Sequence, residues 1–190
     1  MGMPALQDRR WTALEVDAMQ EADPSHRYQV VDGELLVSPG PRRVHQRSVV
    51  ELLRLLGDYL DTWDVGDLLA GPGQVMPDEY TGVQPDVFVI PLIDGWPPED
   101  WDTNGRLLLA IEVLAPSTAR FDRVKKRPKY QSMGAVYWII DTDARVVEEW
   151  LPDAAQPHIQ PDRAEWRPEG AGAPFLLDIV SFFRKVFRER

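Results

Sequence analysis

Cysteine is absent from this chain of 190 residues, and with it go disulfide staples and thiolate metal sites. That composition fits a reducing, cytoplasmic setting. Long apolar runs are missing too. No stretch reaches the roughly 18 apolar residues of a membrane span, and Met1 to Arg10 carries no apolar signal core. Leu6 stands where a myristoylation signal has Ser or Thr. Basic charge is also short: 21 Lys and Arg against 31 Asp and Glu leave a formal net charge of −10. Nucleic-acid binding usually leaves a basic footprint, so this balance argues against strong non-specific DNA affinity. It does not exclude an enzyme that holds a divalent cation among carboxylates, because the ion reverses the local field.

A chain of this length makes about one domain and buries most of its apolar surface unaided. Residues 1–190 therefore read as a single domain, with a core over about 12–151 and a C-terminal loop and helix over 152–190. There is no internal repeat and no low-complexity segment. Thr12-Ala-Leu-Glu15 is a capping box that opens a short helix to about Glu21. Tyr28 to Val31 and Glu34 to Val37, joined by Asp32-Gly33, read as a β-hairpin, and Ser38-Pro-Gly-Pro41 breaks its second strand. Val49, Leu52, Leu53, Leu56 and Leu60 recur at helical spacing, which predicts a helix from Arg42 to about Asp61. Short strands follow at 67–70, 74–76 and 87–90.

The stretch the chain is organised around is Arg106 to Ala115, an apolar run containing one acid, Glu112. Its length and its turn-forming flanks favour a strand covered on both faces. An ionised carboxylate there is unfavourable unless it is paired or bound to a metal. After it, Ser117 or Thr118 caps a helix running toward Met133, and Val136 to Ile140 is the next buried strand. Residues 145–151 turn back alongside it, 152–174 read as a long loop with one irregular strand, and Phe175–Arg190 as an amphipathic helix. Antiparallel strands followed by a strand–helix–strand unit argue a mixed β-sheet flanked by helices.

Asp86, at the start of the 87–90 strand, is the natural companion of Glu112. Two carboxylates and a backbone carbonyl form a hard oxygen site suited to Mg²⁺ or Mn²⁺. Such an ion activates water and offsets charge on a phosphate oxygen. Lys125 and Lys126 are the candidates for orienting that water.

The ordered set Asp32-Gly33-Glu34-Leu35, Ser38-Pro39, His45-Gln46, Gln84-Pro85-Asp86, Ile111 to Ser117, Asp122, Lys126, Tyr130, Gly134 and Tyr137 to Asp141 resembles the Uma-two family of endonucleases. That family lies within the PD-(D/E)XK nuclease superfamily. The resemblance covers about residues 12–151 and the Phe175–Asp178 region. It implies an α/β, restriction-endonuclease-like fold and a metal-dependent endonuclease acting on nucleic acid, DNA in preference to RNA, and often dimeric. On this resemblance Asp86 and Glu112 are metal ligands with the Val113 carbonyl, and Lys126 is the catalytic lysine. Glu34 adds to the site.

The superfamily usually places its lysine two residues after the glutamate, where this chain has Leu114. Pro128 is a second departure. Inside a helix, proline costs about 3 kcal/mol, which predicts a break near Arg127 with Lys126 turned from the carboxylates. Val136 replaces an acid common before the family's Tyr-Trp, and the connection from Gly134 is one residue shorter.

The blander readings are a strand-start Asp86, a Lys126–Asp122 pair on a solvated helix face, an exposed Glu34 and a His45 that makes helix-start hydrogen bonds, the reading preferred over contact with a substrate phosphate. Trp96 and Trp101 could stack on a base but more simply pack locally. The basic end Arg184, Lys185, Arg188 and Arg190 reads first as a solvated helix face and only second as a phosphate patch. The rival function is an inactive module of the same fold serving as a homodimeric or partner-binding domain. A glycosidase-like carboxylate pair is a third reading, and it leaves the lysine without a role.

Overall fold

The structure is a computed structural model that describes residues 9–98 and 105–189. Trp101 and Arg190 lie outside them. Helix α1 (Ala13–Ala22) begins at the capping box: the Glu15 N–H donates to Thr12 Oγ1 at 3.2 Å and the Thr12 N–H to Glu15 Oε2 at 2.9 Å. Strands β1 (His26–Val31) and β2 (Glu34–Pro39) form the hairpin. Both turn residues, Asp32 and Gly33, have positive φ (52° and 83°), the geometry that suits right-twisted strands. With β5 (Thr81–Val83) and β4 (Val75–Asp78) they make a four-stranded sheet in the order β2-β1-β5-β4.

The site is carried by a six-stranded sheet in the order β10-β9-β8-β7-β6-β3. Its strands are β3 (Asp67–Ala70), β6 (Val87–Ile90), β7 (Leu109–Val113), β8 (Val136–Asp141), β9 (Val146–Trp150) and β10 (His158–Gln160). Only the β7–β8 pair within it is parallel, so this is the mixed α/β sheet expected. Every residue of β7 is buried. One face packs Leu109, Ile111 and Val113 with Leu52, Leu56 and Leu60 of α2 (Arg43–Trp63) and with Phe182 and Phe183 of the last helix. The opposite face packs Ala110 with Phe88, Tyr130 and Tyr137. Glu112 shares the parity of Ala110, and Asp86 that of Phe88. Among the described residues, no helix is long and apolar enough to cross a membrane.

Three expectations are corrected. Residues 152–174 hold two strands rather than one, β10 and β11 (Arg163–Trp166). Phe175 does not begin a helix: Phe175–Asp178 is β12, paired with β11, and helix α5 (Ile179–Phe187) starts after it. The boundary is set by Asp178, whose side chain caps the helix by accepting the Ser181 N–H at 2.8 Å.

The third correction concerns Pro128. The crossover between β7 and β8 comprises α3 (Ala119–Phe121), a π-helical turn over Asp122–Lys126, and α4 (Arg127–Ser132). Proline falls in the first turn of α4, the helical position that best tolerates its missing N–H. The chain changes helical register there instead of breaking, with the Arg127 N–H bonded five residues back to the Asp122 carbonyl.

Candidate active site

β6 and β7 run antiparallel with Val87 opposite Ile111 and Phe88 opposite Ala110. Continued by one step, that register sets Asp86 across from Glu112 on one face of the sheet, where facing side chains stand about 5 Å apart at Cβ. Asp86 Oδ2 also accepts the Val113 N–H at 2.8 Å, which holds its carboxylate against the end of β7. Both acids are buried, 5% and 3% exposed.

Each has acquired the partner that burial demands. Arg27 Nη1, from β1, lies 2.6 Å from Asp86 Oδ1, and the same guanidinium donates to the Gln84 side chain and carbonyl. His45 Nε2, from the first turns of α2, lies 3.0 Å from Asp86 Oδ2. Lys126, 2% exposed, places Nζ 2.9 Å from Glu112 Oε1 and 2.9 Å from Asp122 Oδ1. The Tyr130 hydroxyl donates to Glu112 Oε1 at 2.7 Å. Asp122 Oδ2 in turn accepts from Thr118 Oγ1 at 2.7 Å.

The electrostatics of the two carboxylates diverge. Burial works against ionisation of Asp86, but the bonds from His45 and Arg27 outweigh it and hold that carboxyl well below the usual range. Burial pushes Glu112 up; Lys126 opposes the rise, while the charges of Asp86 and Asp122 add to it. Lys126 is pulled the other way. Burial would lower it, yet Asp122 and Glu112 raise it and keep it charged. Three buried acids thus face two cations and a histidine, and a cavity of about 580 Å³ opens beside them, lined in part by Arg27, Ser38, His45, Glu112, Asp122 and Lys126 but not by Asp86.

Lys126 is therefore close to Glu112 in spite of Pro128, and its Asp122 pair is buried rather than on a solvated face. Glu34 is not among the residues that line the cavity. Its exposed carboxylate pairs with Lys125 at 2.7 Å, and Asp32 of the same turn pairs with Lys129 at 2.6 Å. The hairpin thus holds the lysines on either side of Lys126. His45, which the sequence presents as a helix-start residue, contacts Asp86 directly. Arg27 escapes sequence reasoning altogether: it is the second residue of β1, and nothing local marks it.

A divalent cation can be tested against this donor set. Asp86, Glu112 and the Val113 carbonyl offer hard oxygens, the chemistry that Mg²⁺ and Mn²⁺ prefer. The donors fit in type. Among the described residues, however, no three His, Asp or Glu side chains gather closely enough to hold an ion by themselves. Both Asp86 oxygens are engaged by Arg27, His45 and the Val113 N–H, so an ion reaches them by exchange with those donors.

A mixed sheet with buried Asp, Glu and Lys side chains gathered at one end of two neighbouring strands is the layout of a nuclease-like α/β fold. In fold the chain is similar to the crystal structure of a putative nuclease from Anabaena variabilis, with a TM-score of 0.65 and 16% sequence identity over 84% of this chain and 90% of that one. The model of the Uma2 family, described as "Putative restriction endonuclease", matches residues 13–174, and the chain belongs to that family. No curated protein matches this chain.

Proposed function

We propose that this chain is a divalent-metal-dependent endonuclease that hydrolyses phosphodiester bonds in nucleic acid, DNA in preference to RNA. The observation that carries the reading is the 2.9 Å contact between Lys126 Nζ and Glu112 Oε1, two residues that line the cavity, with a second buried carboxylate, Asp86, across from Glu112 on the neighbouring strand. Asp86, Glu112 and the Val113 carbonyl would hold the cation. When bound, it supplies a counter-charge for a phosphate oxygen and lowers the pKa of water. The remaining work belongs to the chain's own groups. Lys126 stays charged, keeps Glu112 in place and has a further N–H to orient the attacking water. Tyr130 fixes the Glu112 oxygen that Lys126 shares, and Arg27 and His45 at the cavity wall offer donors to the phosphate once Asp86 turns to the metal.

Incubation of the purified chain with Mg²⁺ or Mn²⁺ and labelled DNA or RNA tests this. Cleavage that disappears in Glu112→Ala supports the reading. No cleavage, or equal cleavage by that variant, overturns it.

One observation favours a second reading, an inactive module of this fold that binds a partner or a second copy. Asp86 is already saturated by the chain's own donors, as expected of a site that has ceased to take a cation. Calorimetric titration with Mn²⁺ separates the two, since the nuclease reading requires binding that weakens in Asp86→Asn.

A further inference from the structure

The exposed charge of this acidic chain is unevenly spread. Arg42 is the N-cap residue of α2, Arg43 and Arg47 follow on its first turns, and Lys185 and Arg188 close α5 beside them. Arg43, Arg47, Lys185 and Arg188 line one groove of about 410 Å³. Arg42 and Arg43 also line the cavity bounded by Glu112 and Lys126, with Phe187 of α5, so the groove adjoins the site. The two helices are tied together there by a hydrogen bond from Arg47 Nη2 to the Lys185 carbonyl.

Little neutralises this cluster. Its one acid, Glu51, is held by Arg54 at 2.8 Å and by Lys185 at 2.9 Å. Among the described residues no carboxylate forms an ion pair with Arg42, Arg43, Arg47 or Arg188. Arg47 feels the crowding: burial, and then the charges of Arg188 and Arg43, weaken its hold on its proton. The helix dipole accounts for part of the cluster only. Cations at the end of α5 complement that helix's negative terminus, but Arg42 and Arg43 sit at the positive terminus of α2, which has no acid in its first turn and no side-chain cap. Like charge gathered where the dipole also repels it is costly in the free protein, and an anionic partner relieves both costs at once.

We infer that this track along α2 and α5 carries the phosphodiester backbone of a nucleic-acid strand toward the cavity. The identity of the anion rests on the nuclease reading; the track itself rests on the charge and its continuity with the site. Arg43 and Arg47 are four residues apart and stand on one face, one helical turn from each other, so they meet successive positions along an extended polyanion. Arg188 takes the far end.

The test is fluorescence anisotropy of labelled single-stranded DNA, single-stranded RNA and duplex DNA with the full chain, in chelator and over a range of salt. Each lost phosphate contact lowers the magnitude of the slope of log K against log salt by about 0.7 to 0.9. The pair Arg43→Gln with Arg188→Gln leaves the Arg47 hydrogen bond intact and should weaken binding on the order of tenfold, with the slope reduced by about 1.5. Arg167→Gln, an exposed charge paired with Glu165 on β11 and its flank, should change neither. The three ligands report which sugar and strandedness the track accepts. Unchanged affinity and slope in the pair variant, or no binding of any ligand by the parent chain, overturns the inference. Binding through the track by a chain that cuts nothing sustains it while the nuclease reading fails. Cleavage with an unaltered salt slope does the reverse.

Discussion

Lys126 reaches Glu112 from the last residue of a π-helical turn, with Nζ 2.9 Å from Oε1 and the same amine 2.9 Å from Asp122. All three side chains are buried, so water is a poor substitute for the lysine at either acid. Removing one partner of a buried pair leaves an uncompensated charge, at about 3–5 kcal/mol. Lys126→Met should therefore lower the urea-derived unfolding free energy by that amount. Adding Glu112→Gln to Lys126→Met should recover at least half of the loss, because it removes the stranded charge. A Lys126→Met variant as stable as the parent would mean the pair is not formed in solution.

The two carboxylates give stability opposite pH dependences. Glu112 binds its proton more tightly in the folded chain than an ordinary glutamate, whose pKa is 4.5, burial being the main cause. The folded state therefore holds more protons than the unfolded one as pH climbs above 4.5, and this group's contribution falls as pH rises through that window. Asp86 is depressed by His45 and Arg27 below the ordinary aspartate value of 3.8 in spite of burial, so its contribution is full above that value and is lost as pH falls. Unfolding midpoints measured from acid to neutral pH should pass through a maximum. Glu112→Gln should flatten the neutral side and leave the acid side, and a neutral limb unchanged in that variant would contradict the assignment.

Much of this is legible in the amino-acid sequence alone. Glu112 stands by itself in an apolar run, and the energetic cost of that position demands partners, which are present. The capping box at Thr12 and the Asp32-Gly33 turn are local signals and form as expected. What escapes is non-local or too short. Arg27 meets Asp86 across 59 residues, a contact set by which strands pair and not by anything near Arg27. β5 is three residues long, below the length at which alternation shows. The Phe175 boundary is hidden because Phe175, Leu177, Ile179 and Phe182 all face one core, so a strand flowing into a helix reads as one amphipathic run. Register change in the crossover is invisible for a different reason: proline signals the absence of a donor, and both a break and a π-turn satisfy that absence.

Pro128 can be tested on the same ground. In a helix interior its removal would relieve about 3 kcal/mol, and Pro128→Ala would stabilise. In the first turn of α4 the ring costs nothing and restricts the unfolded chain. Pro128→Ala should thus lower stability by roughly 0.5–1 kcal/mol, measured by urea unfolding at neutral pH. A gain of several kcal/mol would show that the helix is strained and that Lys126 is held less firmly than the contacts imply.

Arg27 supplies the sharpest prediction about the metal. Its Nη1 takes Asp86 Oδ1 at 2.6 Å, while His45 and the Val113 N–H take the other oxygen. A cation that uses Asp86 competes with these donors, so part of its binding free energy is spent on displacing the guanidinium. Arg27→Gln removes a charge and a tight hydrogen bond from the competition. In calorimetric titration with Mn²⁺ the variant should bind more tightly than the parent, by on the order of tenfold, since a charged hydrogen bond is worth about 1.5–3 kcal/mol. Asp86→Asn should bind more weakly than either. The same Arg27→Gln variant should cut more slowly despite its tighter ion, because the donor proposed to meet the phosphate is gone. Tighter Mn²⁺ binding with faster cleavage would leave Arg27 as a lock on Asp86 and nothing more, and weaker binding would show that Arg27 shapes the metal site instead of competing for it.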